Sequence, residues 1–594
     1  GAILRMSISS KGVQTMISYV DKKTVFMQPV EDDATNYIVY NRKSRGDNKL
    51  EKFICSTIDE YQKEKSSDTK SVVSKDANDQ ILRKFRLAIS VNGEYTAYHG
   101  GTVEGALAAV NATMTRVNAI FETDMAVTFE VQDFPGLIYT NAATDPYSTA
   151  SGGGVPASWN TELQNTLTST IGNAAYDIGH MFGASGGGGN AGCIGCVCRD
   201  DTPSTSDKNK GSGITSPADG KPEGDTFDVD YVAHEIGHQM GALHTWSHSS
   251  ASDLANIEPG SGSTIMGYAG ITGSDVQQNS DPYFSYYSIK QITDNITNTR
   301  LCWQSNSPLT LTNNPPVADA GNDYVIPQGT AYVLRGSATD ADGGDNLMYC
   351  WEQNDDGVVT IANFGPTLTS GAMARSLPPT TSSNRYIPKL SRVVAGQLTE
   401  TNPTDGGGSD WETVATVGRD LNWALTVRDR EPTALGLGGQ TSFDLMKITV
   451  DASAGPFVVT SQTSNVTWDV GSSQTITWNV AGTDAGNVNT PTVNILLSTD
   501  GGLTFPVTLA SNVANDGSET ITVPVTGQGD SDKVRIIVEG NDNIFFAMNS
   551  TNFTLQETEF VINLPNATVS ACKPADIVFN ATYNTFLGFT DATN

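Results

Sequence analysis

The sequence predicts a multidomain chain: an α+β domain followed by a series of all-β sandwich units. Three observations carry that expectation. A β-α-β opening of sharp periodicity begins near residue 83, a linker is marked by Pro315-Pro316, and beyond it helical periodicity gives way to short alternating strands among Pro, Asn, Ser and Thr. At 594 residues and 38% hydrophobic content the chain exceeds what one core can organise, so three or four domains are expected.

Residues 1–80 read as a separate unit whose polar close, Lys63 to Gln80, is expected to be an exposed, cleavable connector. In the domain over 83–305, Phe85, Leu87, Ile89 and Val91 alternate as in a strand. Val103, Leu107, Val110, Met114, Val117 and Phe121 then recur at three- and four-residue steps behind Thr102, a predicted N-cap. Val127, Phe129 and Val131 give the next strand. A β unit over 316–453 carries Trp351 on a core strand and a Gly/Pro/Ser-rich insertion between about 355 and 410. A second, over 455–555, places Trp468 and Trp478 on alternating strands. Residues 557–594 read as the start of a further unit, so the natural chain is expected to continue past Asn594, and Gly1 to be a processed or trimmed end.

Acidic residues outnumber basic ones 65 to 35, a formal charge of −30 that disfavours nucleic acid and anionic membranes as partners and suits calcium. No apolar run approaches the eighteen or so residues a membrane span needs, so no membrane insertion is expected.

Three of the six histidines fall in His234-Glu-Ile-Gly-His238-Gln-Met-Gly241-Ala-Leu-His244. On a helix, positions i and i+4 share a face, so His234 and His238 can offer ring nitrogens to one tetrahedral ion, with Glu235 beside the first ligand. Gly241 lacks a Cβ and can end the helix in a left-handed turn that brings His244 round as third ligand, leaving a fourth position for water. Such a centre, with Zn2+ as cofactor and Glu235 as general base, is hydrolytic. The competing reading is a helix with surface or core histidines. Of the seven cysteines, Cys193, Cys196 and Cys198 lack a second Cys/His pair at finger spacing and are read as disulfide-forming, with Cys302 as the fourth partner.

The full histidine motif, followed by Ser263-Thr-Ile-Met266-Gly-Tyr268, resembles the metzincin zinc endopeptidases and their Met-turn. The resemblance gives Met266 the hydrophobic floor beneath the imidazoles, and Tyr268 either a role in ligating zinc or stabilising the tetrahedral intermediate or a purely structural place. The flanking runs from Asp225 to His234 and from Glu258 to Gly270 look like reprolysin-like peptidases of secreted bacterial proteins over roughly 83–305. The His-Thr-aromatic run and Met-Gly-Tyr also resemble pappalysins, and Thr245 stands where animal reprolysins have Asp. By the same resemblance, residues 176–184 supply the edge strand along which substrate lies, with His180 either contacting substrate or, the favoured reading, simply packed. Residues 1–80 then resemble the end of a propeptide, in which Cys55 is a candidate inhibitory zinc ligand or an ordinary buried cysteine.

The first β unit, with Asp340-Ala-Asp342-Gly-Gly-Asp345 and Tyr349-Cys-Trp351, resembles the PKD and cadherin-like immunoglobulin-type domains found beside secreted hydrolases. Asp340, Asp342 and Asp345 are either a Ca2+ site or a solvated acidic turn. Ser498-Thr-Asp500-Gly-Gly502-Leu-Thr504-Phe505 matches the Asp-box, which shapes a turn and carries no catalysis. The expected protein is a monomeric, secreted or cell-surface bacterial zinc endopeptidase made as a zymogen. It would act on polypeptides and bind a surface or polymer through its sandwich domains. The alternative is an adhesin or surface-binding protein with an accessory protease domain; a zinc hydrolase of non-peptides is disfavoured by the Met-turn.

Overall fold

The computed structural model describes residues 2–20, 22–30, 33–42, 54–57, 77–150, 155–249, 255–343, 346–429, 439–557, 560–563 and 582–585. Most of the expected connector, Cys572 and Asp345 lie outside these residues.

The N-terminal unit is an antiparallel meander of β1 (Ala2–Ser9), β2 (Gly12–Tyr19), β3 (Val25–Val30) and β4 (Asp33–Asn41). The α+β domain opens with β5 (Ile81–Val91), then α1 (Gly93–Tyr98), α2 (Val103–Met125) and β6 (Val127–Val131). Thr102 caps α2 as its sequence predicts, accepting a hydrogen bond from Gly105 N at 3.0 Å. The meander lies on α2: Met16 and Phe26 join Val110, Met114, Val117 and Phe121 in one core. Arg5 pairs with Glu122, 117 residues further on, at 2.5 Å.

Next come α3 (Trp159–Thr170), β7 (Ile178–Phe182), β8 (Gly188–Asn190) and β9 (Gly213–Ser216). A π-helical turn over Thr226–Val232 leads into α4 (Ala233–Met240), and α5 (Tyr286–Asn298) precedes β10 (Leu309–Thr310). The sheet order is β10-β5-β7-β9-β8, with β6 also on β5. β5 runs parallel to β6 and β7, and β7 parallel to β9; only β8 and β10 are antiparallel to their neighbours. The alternating residues of β5 are buried, and so are Ala88 and Ser90 between them, because the central strand is covered on both faces. Disulfides join Cys198 to Cys302 and Cys193 to Cys196, tying the cysteine loop to the end of the domain. Cys55 and Cys350 are free and buried.

Beyond the linker the chain is β-rich, with a short helix at Leu390–Val394 that its sequence does not signal. In the first unit Met348–Gln353, Arg419–Arg428, Thr441–Asp451 and Tyr324–Pro327 form a sheet. The strand Ala331–Arg335 instead pairs with Phe545–Met548 of the second unit, Tyr332 opposite Phe545, so the two units share a sheet. They also share a core, in which Trp351 and Trp423 stand with Trp468, Trp478 and Phe545. The Asp-box closes a turn: Asp500 Oδ1 accepts from Leu503 N and Thr504 N, both at 3.0 Å.

The first β unit is docked onto the α+β domain through buried polar contacts. Arg428 Nε donates to Asp124 Oδ1 at 2.7 Å, and Asp124 Oδ2 accepts from Phe284 N at 2.7 Å. Glu352 accepts from Tyr286 N at 2.7 Å. The insertion reaches the loops after α4: Val359 N donates to Ser247 O at 2.9 Å, Gly260 N to Val359 O at 2.8 Å, and Trp411 packs with Val276 and Phe364. Removing one partner of a buried pair strands the other charge, so Arg428→Ala is expected to destabilise the protein by about 3–5 kcal/mol. Thermal or denaturant unfolding checks this, and an unchanged midpoint would mean the contact is not made in solution.

Candidate metal centre

α4 places His234 and His238 one turn apart on a buried face. His234 Nδ1 lies 2.7 Å from Ile265 O and His238 Nδ1 2.7 Å from Ala242 O. A carbonyl only accepts, so each Nδ1 carries the proton and each Nε2 presents its lone pair. Gly241 ends the helix at φ 128°, its N–H and that of Ala242 closing on Gly237 O at 3.0 and 2.9 Å. The chain thereby turns and delivers His244, whose Nε2 is 3.1 Å from His238 Nε2, itself 3.2 Å from His234 Nε2. Burial, then His248, pushes His244 down to about 3, keeping it the neutral imidazole that a metal needs. A side chain at 241 would be strained at this φ and would also crowd Asn295, 3.1 Å from an added Cβ. Gly241→Ala is therefore expected to cost about 1–3 kcal/mol and to weaken metal binding through the displaced His244. Melting and zinc titration test it; unchanged affinity would detach the turn from the ligand.

Cys55 completes a buried four-donor group, its Sγ 3.8 Å from His238 Nε2 and all four ligand atoms within 4.8 Å of one another. Tetrahedral zinc with ordinary bond lengths separates nitrogen ligands by about 3.3 Å and sulfur from nitrogen by about 3.6 Å, so this donor set fits zinc. Burial, and next the Glu235 carboxylate, push the Cys55 thiol well up, so its thiolate form calls for a cation at the centre. The segment is held by pairing parallel to β8: Ser56 N donates to Gly189 O at 2.9 Å and Gly189 N to Ile54 O at 3.1 Å. Thr57 Oγ1 donates to Glu235 Oε2 at 3.1 Å and accepts from Ala191 N at 2.9 Å. Glu235 is fully buried, and burial pushes its carboxyl up to about 8. It fits only because residue 189 is glycine: a Cβ there would stand 2.1 Å from Glu235 Oε1.

Met266 is fully buried, and its Sδ would be 2.7 Å from a Cβ at Gly237, so the first glycine of the motif lets the methionine approach the helix that carries His234 and His238. The Tyr268 ring stands 4.7 Å from that of His244, and its hydroxyl donates to Cys55 O at 3.3 Å. Glu258, which sequence reasoning did not single out, is buried and accepts from Thr245 Oγ1 at 2.6 Å and Ser263 N at 2.8 Å. It joins the residue after the third histidine to the turn carrying Met266. Its only signal is a lone acid in a Gly/Ser-rich run.

Residues 176–184 are not an edge strand. β7 lies between β5 and β9, and the last strand of the sheet beside the centre is β8, which residues 54–56 cover, because β9 stands between β7 and β8. His180 is packed, its Nδ1 2.7 Å from Gln239 Oε1 and its Nε2 2.8 Å from Thr215 Oγ1, and burial pushes it down to about 4. Through Gln239 it fastens α4 to the sheet. Asp342 accepts from Asn314 Nδ2 at 2.9 Å and Asp340 from Asp342 N at 2.9 Å, a turn that pins the linker. Sequence reasoning also missed Arg42, which pairs with Asp225 at 3.1 Å and with Asp230 on the π-helical turn.

Residues 82–306 match the family model described as metallo-peptidase family M12B reprolysin-like, and residues 461–555 match that of the Kre9/KNH-like N-terminal Ig-like domain. The chain thus carries a reprolysin-like metallopeptidase domain followed by Ig-like β-sandwich units. Among solved structures it is similar to the tandem Ig repeats of Dlar, at 13% identity over 41% of this chain and 99% of that one, with a TM-score of 0.21. It is also similar to the fibronectin(III)-like modules of Clostridium thermocellum CbhA, at 12% identity over 41% and 94%, with a TM-score of 0.14. No curated protein matches the chain. No helix among the described residues is long and apolar enough to cross a membrane.

Proposed function

We propose that the chain is a secreted zinc endopeptidase in latent form, with His234, His238 and His244 as zinc ligands and Cys55 as the inhibitory fourth. The observation that carries this reading is the convergence of three imidazole Nε2 atoms, two with their Nδ1 protons spent on backbone carbonyls, beside a buried glutamate. Zinc held there supplies a Lewis acid that polarises a carbonyl oxygen and acidifies water. Glu235 takes the proton of the attacking water and passes it to the departing amine. The edge of β8 hydrogen-bonds an extended substrate main chain, the place now filled by residues 54–56. Met266 floors the ligands, and Tyr268, freed from Cys55 O, turns its hydroxyl to the developing oxyanion.

Latency follows from the same contacts. Cys55 would be the fourth ligand to a metal held by the three histidines, Thr57 engages the general base, and Ile54 to Ser56 cover the strand edge.

The test is zinc analysis together with cleavage of an unfolded polypeptide by the chain cut within residues 58–76. We expect stoichiometric zinc and cleavage that a chelator abolishes and added zinc restores. Bound zinc without cleavage would move the weight to a surface-binding protein acting through its β units.

A further inference from the structure

Arg42, at the end of β4, enters the α+β domain beside the metal centre. Its side chain and those of Asp225 and Asp230 are at least nine-tenths buried, with Nε 3.1 Å from Asp225 Oδ2 and the guanidinium paired to Asp230. Asp281 adds to the negative field around it. The domain's own Arg116 is engaged elsewhere, on Asp228 at 2.7 Å. Asp230 is held rigid by Ser280 N, which donates to its Oδ1 at 2.7 Å. It also lines a pocket whose other walls include His234, Gly267 and Tyr268, so the acid and the first zinc-binding imidazole face one space.

We propose that Asp225 and Asp230 form a specificity pocket for a basic substrate side chain beside the scissile bond, and that Arg42 fills it in the latent protein as an internal mimic of that side chain. The proposal rests on the peptidase reading above and adds the substrate class to it. When the N-terminal unit leaves, two buried carboxylates lose their cation, and a buried acid without a partner is costly enough to demand another. A guanidinium forks onto two carboxylates where an ammonium is a point charge, so arginine is favoured over lysine. Arg42 and Cys55 then block two parts of one cleft, the side-chain pocket and the metal.

The test has two arms. In the first, full-length Arg42→Ala, or Arg42→Gln should the first variant fail to fold, is melted with methylguanidinium or its neutral isostere methylurea. The midpoint is expected to rise with methylguanidinium alone, and not when Asp230→Asn is added. No rise, or an equal rise with methylurea, overturns the pocket. In the second, cut sites on an unfolded polypeptide are mapped for the chain nicked within 58–76. Arg and Lys are expected at one fixed position beside the cut, enriched about tenfold or more, an enrichment that Asp230→Asn removes while cutting persists. Cutting without that preference overturns this inference and leaves the peptidase reading standing. No cutting, with an Asp230-dependent methylguanidinium shift, supports the guanidinium site and overturns the peptidase reading.

Discussion

Glu235→Gln is expected to lower kcat/KM for an unfolded polypeptide by about 10²–10⁴-fold, the span a positioned general base contributes, with zinc content unchanged. The substitution keeps shape and volume where volume is critical, since Glu235 is buried against Gly189 with no room for even one more carbon. The amide oxygen still accepts from Thr57, so the latent fold should be undisturbed and the melting midpoint close to wild type. What disappears is a carboxylate able to accept a proton next to the three imidazoles. Steady-state kinetics with metal analysis on the nicked protein reads this directly, and a loss of only a few-fold would remove Glu235 from proton transfer.

Cys55→Ala in the full-length chain should have the opposite sign. Loss of the sulfur opens the fourth position, and cleavage by the uncut chain is expected to rise at least about tenfold, the factor that 1.4 kcal/mol represents. The rise should stop short of the nicked protein's activity. The backbone pairing of Ile54 and Ser56 with Gly189 and the Thr57 contact to Glu235 remain, each worth about 0.5–1.5 kcal/mol. Cobalt in place of zinc adds a readout independent of turnover: a thiolate-to-cobalt charge-transfer band in wild type, absent in Cys55→Ala. An identical spectrum in both proteins would make Cys55 an ordinary buried cysteine.

Local chemistry was legible from residue order. Thr102 announces the cap of α2, Phe85 to Val91 the first strand of the sheet, and the spacing of His234, His238, Gly241 and His244 a helix with a left-handed exit. These are rules about neighbours a few residues apart. The assignment of residues 176–184 to the sheet edge failed because edge position is a property of the whole sheet, and β9, thirty-odd residues further on, pairs with β7 and covers it.

Sequence alone therefore determined the α+β-then-β order and the helical spacing that puts His234 and His238 on one face with Gly241 at the exit, since helix periodicity and turn preference act within a few residues. Tertiary structure alone decided that β8 is the strand onto which residues 54–56 pair, that Glu258 ties Thr245 to the Met266 turn, that the 355–410 insertion braces the loops after α4, and that Arg42 meets Asp225 and Asp230. Each of these joins residues far apart in the chain or selects among strands of similar pattern. No local preference encodes such contacts; they form only when the core is buried and polar groups from distant segments, such as Arg42 with Asp225 and Asp230, are brought to one another.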